Sequence, residues 1–116
     1  MAATVGYSRA VRVGAHVHVA GTAPIMPGEA DPPPDAYAQA RRCLEIITSA
    51  LEQVGAGPQH VVRTRAYLVA ADDWKEVGRA HGEVFGTVLP ASAFVVVKEL
   101  LDPRWRVELE ADALVA

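Results

Sequence analysis

The stretch Val107-Glu-Leu-Glu-Ala-Asp-Ala113 alternates strictly between apolar and acidic side chains. This period of two is typical of a β-strand with one buried face and one polar face. A second strand is predicted at residues 61–69, which are rich in β-branched and aromatic residues. Its two faces separate polar from largely apolar side chains: Arg63, Arg65 and Tyr67 on one, and Val62, Thr64, Ala66 and Leu68 on the other.

Three more strands are predicted from the same kind of pattern. Residues 8–13 and 16–20 alternate around Gly14-Ala15, which indicates a hairpin. Residues 91–97, after Pro90, form a nearly continuous apolar run of strand length. We therefore expect five strands in all.

Two helices are predicted between these strands. The first follows Asp35, a favourable N-cap, and carries an apolar stripe with spacings of three and four at Tyr37, Ala40, Leu44, Ile47, Leu51 and Val54. The second begins at Asp73-Trp-Lys-Glu76, which has the pattern of a capping box. Its stripe comprises Trp74, Val77, His81 and Val84, with Phe85 beside it.

The order β-β-α-β-α-β-β predicts a single α+β domain over residues 1–116 with a mixed sheet. Two helices can cover only one face of such a sheet. The other face would carry the charged rows together with Phe94 and Val96, and a half-apolar exposed face is typical of an oligomer interface. We therefore expect a homo-oligomer.

Composition excludes several classes of function. The chain has 116 residues, and its Lys and Arg residues (11) are outnumbered by Asp and Glu (14), which disfavours nucleic acid as a partner. No run approaches the ~20 apolar residues of a membrane-spanning helix, and no export signal precedes the first strand. The single cysteine, Cys43, can form neither an internal disulfide nor a thiolate metal cluster. These features favour a cytoplasmic protein.

Four segments resemble the Rid (RidA/YjgF-like) family of reactive intermediate deaminases, also labelled endoribonuclease L-PSP-like. They are residues 7–14, residues 19–24, residues 61–68 with 72–74, and Leu89-Pro-Ala-Ser92 with Val107-Glu-Leu-Glu-Ala111. They span nearly the whole chain in the family's order. The resemblance implies a chorismate-mutase-like fold with two helices on one sheet face. It also implies a homotrimer with three small-molecule clefts between subunits.

The resemblance further implies hydrolysis of reactive 2-imino acids to 2-oxo acids and ammonia, without a metal or organic cofactor. In the family, the first glutamate of Glu-x-Glu-Ala handles the water molecule, and a tyrosine near the N-terminus lines the cleft. By position these residues are Glu108, the predicted catalytic residue, and Tyr7. Glu108 has an alternative interpretation, in which it only balances Arg63 or Arg65 across the strands.

This sequence departs from the family pattern at the position of the carboxylate-binding arginine, which is Ser92. A guanidinium binds a carboxylate with ~1.5–3 kcal/mol per charge-assisted bond, so a hydroxyl there should lower affinity on the order of 100-fold. Two residues later the small family residue is replaced by the larger Phe94, and the serine of the family's Ser-Gly-Gln turn is replaced by Ala20. We expect weakened or altered activity on 2-imino acids.

The predicted ligand-binding residues are Tyr7, Ala20, Gly21, Arg65, Phe85, Ser92 and Phe94. Arg65 is included because a second arginine could replace the missing one, although ion pairing with the acidic strand is the alternative. His16 and His18 share a strand face, but no third ligand with a suitable spacing follows, so no metal site is expected.

Three functions remain open at this point. The first is an imine or enamine hydrolase that uses Glu108 and a bound water. The second is a trimer that binds a small molecule without catalysis. The third, an endoribonuclease, is disfavoured because the chain is acidic and has no evident His/Lys acid–base pair.

Overall fold

The predicted strands form one mixed sheet in the computed structural model, which describes residues 2–116. The strands are β1 (Ala10–Val13), β2 (His16–Thr22), β3 (Val61–Leu68), β4 (Ala91–Val96) and β5 (Val107–Leu114). Their order in the sheet is β1-β2-β5-β3-β4. Among these five strands, β3 and β4 alone pair in parallel, and the connection between them crosses over through a helix. The α+β class and the predicted order of the main elements are confirmed.

The hairpin of β1 and β2 contains the irregularity that shapes the site. Gly14 adopts a φ of +59° in the turn, a conformation that glycine tolerates well. Further along β2, the pairing register with β5 shifts between Val19 and Thr22. This β-bulge takes Ala20 and Gly21 out of the regular ladder, and bulges commonly re-aim backbone and side chains near binding sites.

A second register shift corrects the predicted faces of β3. The shift against β5 lies between Val61 and Arg63, so the strict alternation is broken at Val62. Val62 is 50% exposed, whereas Val61 is buried and takes its place in the core. Beyond the shift, Thr64, Ala66 and Leu68 are buried as predicted.

Helix α2 (Ala36–Gln53) packs its apolar stripe on the sheet, after a single helical turn, α1 (Ala2–Val5), that was not predicted. Asp35 caps α2 by accepting a hydrogen bond from the Ala38 amide at 2.9 Å. The residues buried along α2 are Ala36, Gln39, Ala40, Cys43, Leu44, Ile47, Ala50 and Leu51.

Helix α3 (Trp74–Phe85) begins differently from the prediction. Asp73 has helical backbone angles and its side chain caps nothing, because its carboxylate instead accepts two hydrogen bonds from the Arg106 guanidinium at 2.8 and 3.0 Å. Trp74, expected in the apolar stripe, is 55% exposed. The capping-box prediction is therefore wrong, because a distant arginine competes for the carboxylate.

Helices α2 and α3 cover one face of the sheet, as predicted. The opposite, open face carries the charged residues of β3 and β5. Phe94 and Val96 were expected there, but their register with β3 places both on the helix side, where the Phe94 ring lies 5.8 Å from the His81 ring between centroids. The register places Val95 beside Tyr67 on the open face instead. Within residues 2–116, no helix has both the length and the apolar character required to cross a lipid bilayer.

Candidate functional site

A cleft of about 610 Å³ opens beside the bulge of β2. Its lining comes from six parts of the fold: the segment before β1, the bulge, the loop after β2, α2, the loop before β5, and β5 itself. The lining residues are Tyr7, Arg9, Ala20, Gly21, Ala23, Ile25, Arg42, Ile46, Leu101, Trp105 and Glu108. Tyr7, Ala20, Gly21 and Glu108, which were predicted as site residues from distant parts of the sequence, thus border one cavity.

The Glu108 carboxylate lies directly against the Gly21 backbone. A Cβ atom at Gly21 would be 2.5 Å from Glu108 Oε2, so any larger residue there would displace the carboxylate. The Glu108 side chain is half-buried and has no hydrogen-bond partner among the described residues. Burial raises its pKa above the ordinary value, the charge of Arg9 opposes this shift, and Glu110 adds to it. A carboxylate in this setting is suited to accept and return a proton.

Two arginines that sequence analysis did not assign to the site also line the cleft. Arg9 donates hydrogen bonds to the Thr22 hydroxyl at 3.0 Å and to the Gly21 carbonyl at 2.9 Å, and these bonds brace the bulge. Arg42, on α2, donates from Nε to the Ile25 carbonyl at 2.7 Å. Neither residue breaks the apolar periodicity around it, so no local signal marks it as part of a site.

Gln39 supports the cleft wall formed by Leu101 and Trp105. Its buried amide donates to the carbonyl oxygens of Pro33 and Arg104 at 2.8 and 3.0 Å. Its side-chain oxygen accepts from the Arg106 amide at 2.7 Å. One side chain thus connects helix α2 to the segment before it, at Pro33, and to the loop before β5, at Arg104 and Arg106. Gln39 lies beside the predicted apolar stripe of α2, four residues before Cys43, and this position was the available sequence signal for its burial.

Ser92, Phe94 and Phe85 do not line this cleft within one chain. The Ser92 hydroxyl lies 2.6 Å from Thr64 Oγ1, which in turn lies 2.8 Å from His81 Nε2. Phe85 is 2% exposed and belongs to the hydrophobic core. Ser92 and Phe94 are on β4, the edge strand, which β3 separates from β5 and Glu108.

Arg65 is engaged in an ion-pair network on the open face. Its Nη1 atom lies 3.2 Å from Glu110 and 3.4 Å from Asp112. The Tyr67 hydroxyl also donates to Glu110, at 2.7 Å. Asp112 lies 2.7 Å from His18 Nδ1. Arg65 is thus paired with acidic residues of β5, as the alternative interpretation of this residue expected. Glu108 forms no ion pair with the described part of the chain.

Metal-ligating side chains are dispersed over the fold. In residues 2–116, no group of three or more His, Cys, Asp or Glu side chains is placed to hold a metal ion. The chemistry available in the cleft is therefore that of a carboxylate, a phenol, two guanidinium groups and an apolar wall.

Comparison with known proteins identifies the family. Residues 1–115 match the profile of the family described as Endoribonuclease L-PSP. An uncharacterized protein of Streptomyces coelicolor is 37% identical over 112 residues, which cover 93% of this chain and 81% of the relative.

Two solved structures have the same fold. Rv2704 of Mycobacterium tuberculosis, described as a member of the highly conserved YjgF/YER057c/UK114 family, is 46% identical with a TM-score of 0.88, and the match covers 98% of this chain and 91% of that one. E. coli TdcF, solved with bound serine, is 22% identical with a TM-score of 0.87, covers 95% and 88% of the two chains, and shows the fold alone. The chain belongs to the endoribonuclease L-PSP family, which is also the family of the YjgF and Rid proteins.

Proposed function

We propose that the protein is a cofactor-independent hydrolase that deaminates reactive imines or related small metabolites in the Glu108 cleft. The observation that carries this proposal is the half-buried Glu108 carboxylate, which has no hydrogen-bond partner among the described residues and borders a cavity of about 610 Å³. Cavities of this volume suit small organic ligands. The serine bound to E. coli TdcF is a ligand of the proposed size class in a protein of the same fold.

The chemistry requires one water molecule and one carboxylate. Glu108 accepts a proton from water as the water oxygen bonds to the imine carbon, and it passes this proton to the imine nitrogen, which gives a neutral carbinolamine. Glu108 then accepts the proton of the carbinolamine hydroxyl as the carbonyl group forms and the carbon–nitrogen bond breaks. It gives that proton to the departing nitrogen, which leaves as ammonia, and the carboxylate is regenerated. General acid–base help of this kind contributes typically about 10²- to 10⁴-fold in rate.

The position of Ser92 supports an altered substrate preference. Its hydroxyl is held by Thr64 and lies 3.4 Å from His81 Nε2, so it is poorly placed to bind a carboxylate as well. A hydroxyl also lacks the charge and the paired donors of a guanidinium. We propose that any activity on 2-imino acids depends on a different anchor from the one that the family resemblance implies.

Purified protein is expected to accelerate ammonia release from 2-imino acids above the spontaneous rate. The imines are generated in situ by an amino-acid oxidase, and ammonia is measured with and without the protein. Acceleration weaker than that of an arginine-bearing relative is the expected result. Absence of any acceleration, with a small carboxylate still bound, would contradict catalysis and leave the alternative of a non-catalytic binding protein.

We further propose that the protein assembles as a homotrimer through its open sheet face. That face combines the exposed apolar residue Val95 with the ion-paired side chains of Arg65, Glu110 and Asp112. In such an assembly, Ser92 of the edge strand β4 could border the cleft of a neighbouring subunit. The trimer would therefore account for the distance between Ser92 and the cleft within one chain.

Sedimentation equilibrium at micromolar concentration is expected to give three times the 12.3 kDa chain mass. Burial of a half-apolar face stabilises association, since each Å² of apolar surface removed from water contributes ~25 cal/mol. Val95→Asp places a charge on that face and should shift the protein toward monomers. Ser49→Asp adds the same charge at an exposed position of α2, on the other side of the sheet, and serves as the control. A stable monomer of the unmodified chain would contradict the trimer.

A further inference from the structure

The two arginines that line the Glu108 cleft share the same surroundings. Arg9 and Arg42 both border this cleft, and both also border a second cavity of about 290 Å³. Their two positive charges therefore act on the same region of the protein. Two guanidinium groups held close together repel each other, and the repulsion grows as solvent is removed. Such a pair is stabilised by an anion placed between or in front of its members.

Neutral acceptors hold Arg9 in place. Its two terminal nitrogens bind the Thr22 hydroxyl and the Gly21 carbonyl, so neither bond compensates its charge. The Nε donor and the second hydrogen of each terminal nitrogen have no partner in the described part of the chain. Arg106 is different, because its guanidinium binds the Asp73 carboxylate at 2.8 Å. Arg9 is thus oriented but not neutralised.

Arg42 is held in a similar way. Its Nε donates to the Ile25 carbonyl, and this bond orients the guanidinium. The two terminal nitrogens take no part in that bond. The nearest carboxylate is Glu45, at 3.6 Å, and its side chain is 62% exposed. Glu45 borders the second cavity and not the Glu108 cleft. An exposed pair at this distance contributes little, typically below about 1 kcal/mol.

Glu108 compensates this charge only in part. The charge of Arg9 opposes the rise in the pKa of Glu108, but no salt bridge joins Glu108 to Arg9 or Arg42 among the described residues, and the carboxylate lies against Gly21. The cleft therefore has two cationic side chains against one partly desolvated carboxylate, and an excess of positive charge. Guanidinium groups bind carboxylates through paired, charge-assisted hydrogen bonds, which fix orientation as well as affinity.

We propose that Arg9 and Arg42 form the anion-binding wall of this cleft and select ligands that carry a small carboxylate. This inference rests on the proposed function, because it supplies the anchor that Ser92 does not provide. With its carboxylate on the arginine wall, a short ligand presents its adjacent carbon within the same cavity as Glu108. Arg9 and Arg42 bind and orient the ligand, and Glu108 carries out the proton transfers.

Binding of pyruvate, a short 2-oxo carboxylate, tests the wall without any turnover. Isothermal titration is expected to show that Arg9→Gln and Arg42→Gln each weaken pyruvate binding about 10- to 100-fold. Pyruvamide, which has the same size without the charge, should bind weakly and equally to all variants. Arg41→Gln is the matched control, because Arg41 is the next residue on α2 and pairs with Glu83 at 3.2 Å, outside the cleft. It should bind pyruvate like the unmodified protein.

Arg9→Gln and Arg42→Gln differ in their effect on the structure of the cleft. Arg9→Gln also removes bonds that brace the bulge, so its melting temperature is measured alongside. Arg42→Gln loses a bond to a loop carbonyl and an exposed contact with Glu45, neither of which braces the bulge, so it is the cleaner test of anion binding. Unchanged pyruvate affinity in Arg42→Gln, equal binding of pyruvate and pyruvamide, or no pyruvate binding by the unmodified protein at millimolar concentration would each overturn the arginine wall.

Failure of this inference differs from failure of the proposed hydrolase. Pyruvate binding that depends on Arg42, with no imine hydrolysis, would support the wall and contradict catalysis. Imine hydrolysis that keeps the same KM in Arg42→Gln would support catalysis and contradict the wall.

Discussion

Glu108→Gln is expected to reduce imine hydrolysis at least about 100-fold, the lower range of what a general acid–base group contributes. Glutamine keeps the length and the hydrogen-bonding capacity of the side chain, but it cannot accept a proton from water. The loss should appear in kcat, with pyruvate affinity nearly unchanged, because the proposed carboxylate anchor lies at Arg9 and Arg42. Steady-state ammonia release is the measurement, and turnover that survives the substitution would contradict the assigned role.

Glu110→Gln is the matched control for this substitution. Glu110 lies two residues further along β5 and binds Arg65 and Tyr67, outside the cleft. Its replacement should lower stability through the lost ion pair and leave turnover largely intact. We thus expect opposite outcomes for the two variants: Glu108→Gln loses activity, and Glu110→Gln loses stability. A loss of stability without a loss of turnover in Glu108→Gln would favour the purely structural alternative.

The pH dependence of unfolding gives a second signature of Glu108→Gln. Burial raises the pKa of Glu108 in the folded state, so the folded protein holds this proton more tightly than the unfolded chain does. Its contribution to stability is present at low pH and is lost as pH rises through the raised pKa. Glutamine removes this loss. The variant should therefore melt at the same temperature or slightly higher at neutral pH, and the difference should shrink toward acidic pH.

Gln39→Leu is expected to destabilise the fold by about 2–4 kcal/mol. Leucine fills a similar volume but leaves the Arg106 amide and the carbonyls of Pro33 and Arg104 without their partner. A fully buried polar group left unsatisfied costs about 1–3 kcal/mol, and these three groups are only partly buried, which keeps the cost of each toward the low end of that range. Urea unfolding measures the change.

The control for Gln39→Leu is Gln53→Leu, at the exposed C-terminal end of the same helix. Because Gln39 also tethers the segment that carries Trp105, its loss should weaken ligand binding in the cleft, whereas the Gln53 variant should bind normally. Equal stability of the two variants would show that solvent or rearrangement replaces the lost hydrogen bonds.

The main secondary structure was predictable because its signals are local. The alternation in residues 107–113 and the stripe of α2 each report burial within a few neighbouring residues, and both are observed. The errors occur where a residue that is distant in sequence determines the local structure. The Asp73 carboxylate binds Arg106 and does not cap its own helix, and the faces of β3 change at a register shift against β5. No pattern within residues 61–76 contains that information.

The candidate site was only partly predictable, for the same reason. Tyr7, Gly21 and Glu108 were chosen from family resemblance, and the fold brings them to one cavity. Arg9 and Arg42 are far apart in sequence and lie in ordinary amphipathic segments. Their proximity comes from the docking of α2 beside the β2 bulge, which is a tertiary event without a sequence signature.

The burial of Cys43 makes its thiol a probe of local opening of the fold. This lone thiol lies fully buried on the inner face of α2, and burial raises its pKa, so thiol reagents cannot reach it while α2 is docked on the sheet. The rate of Cys43 labelling under native conditions therefore reports how often α2 separates from the sheet. The same separation would carry Arg42 and Ile46 away from the cleft, so the labelling rate also measures how often the site comes apart.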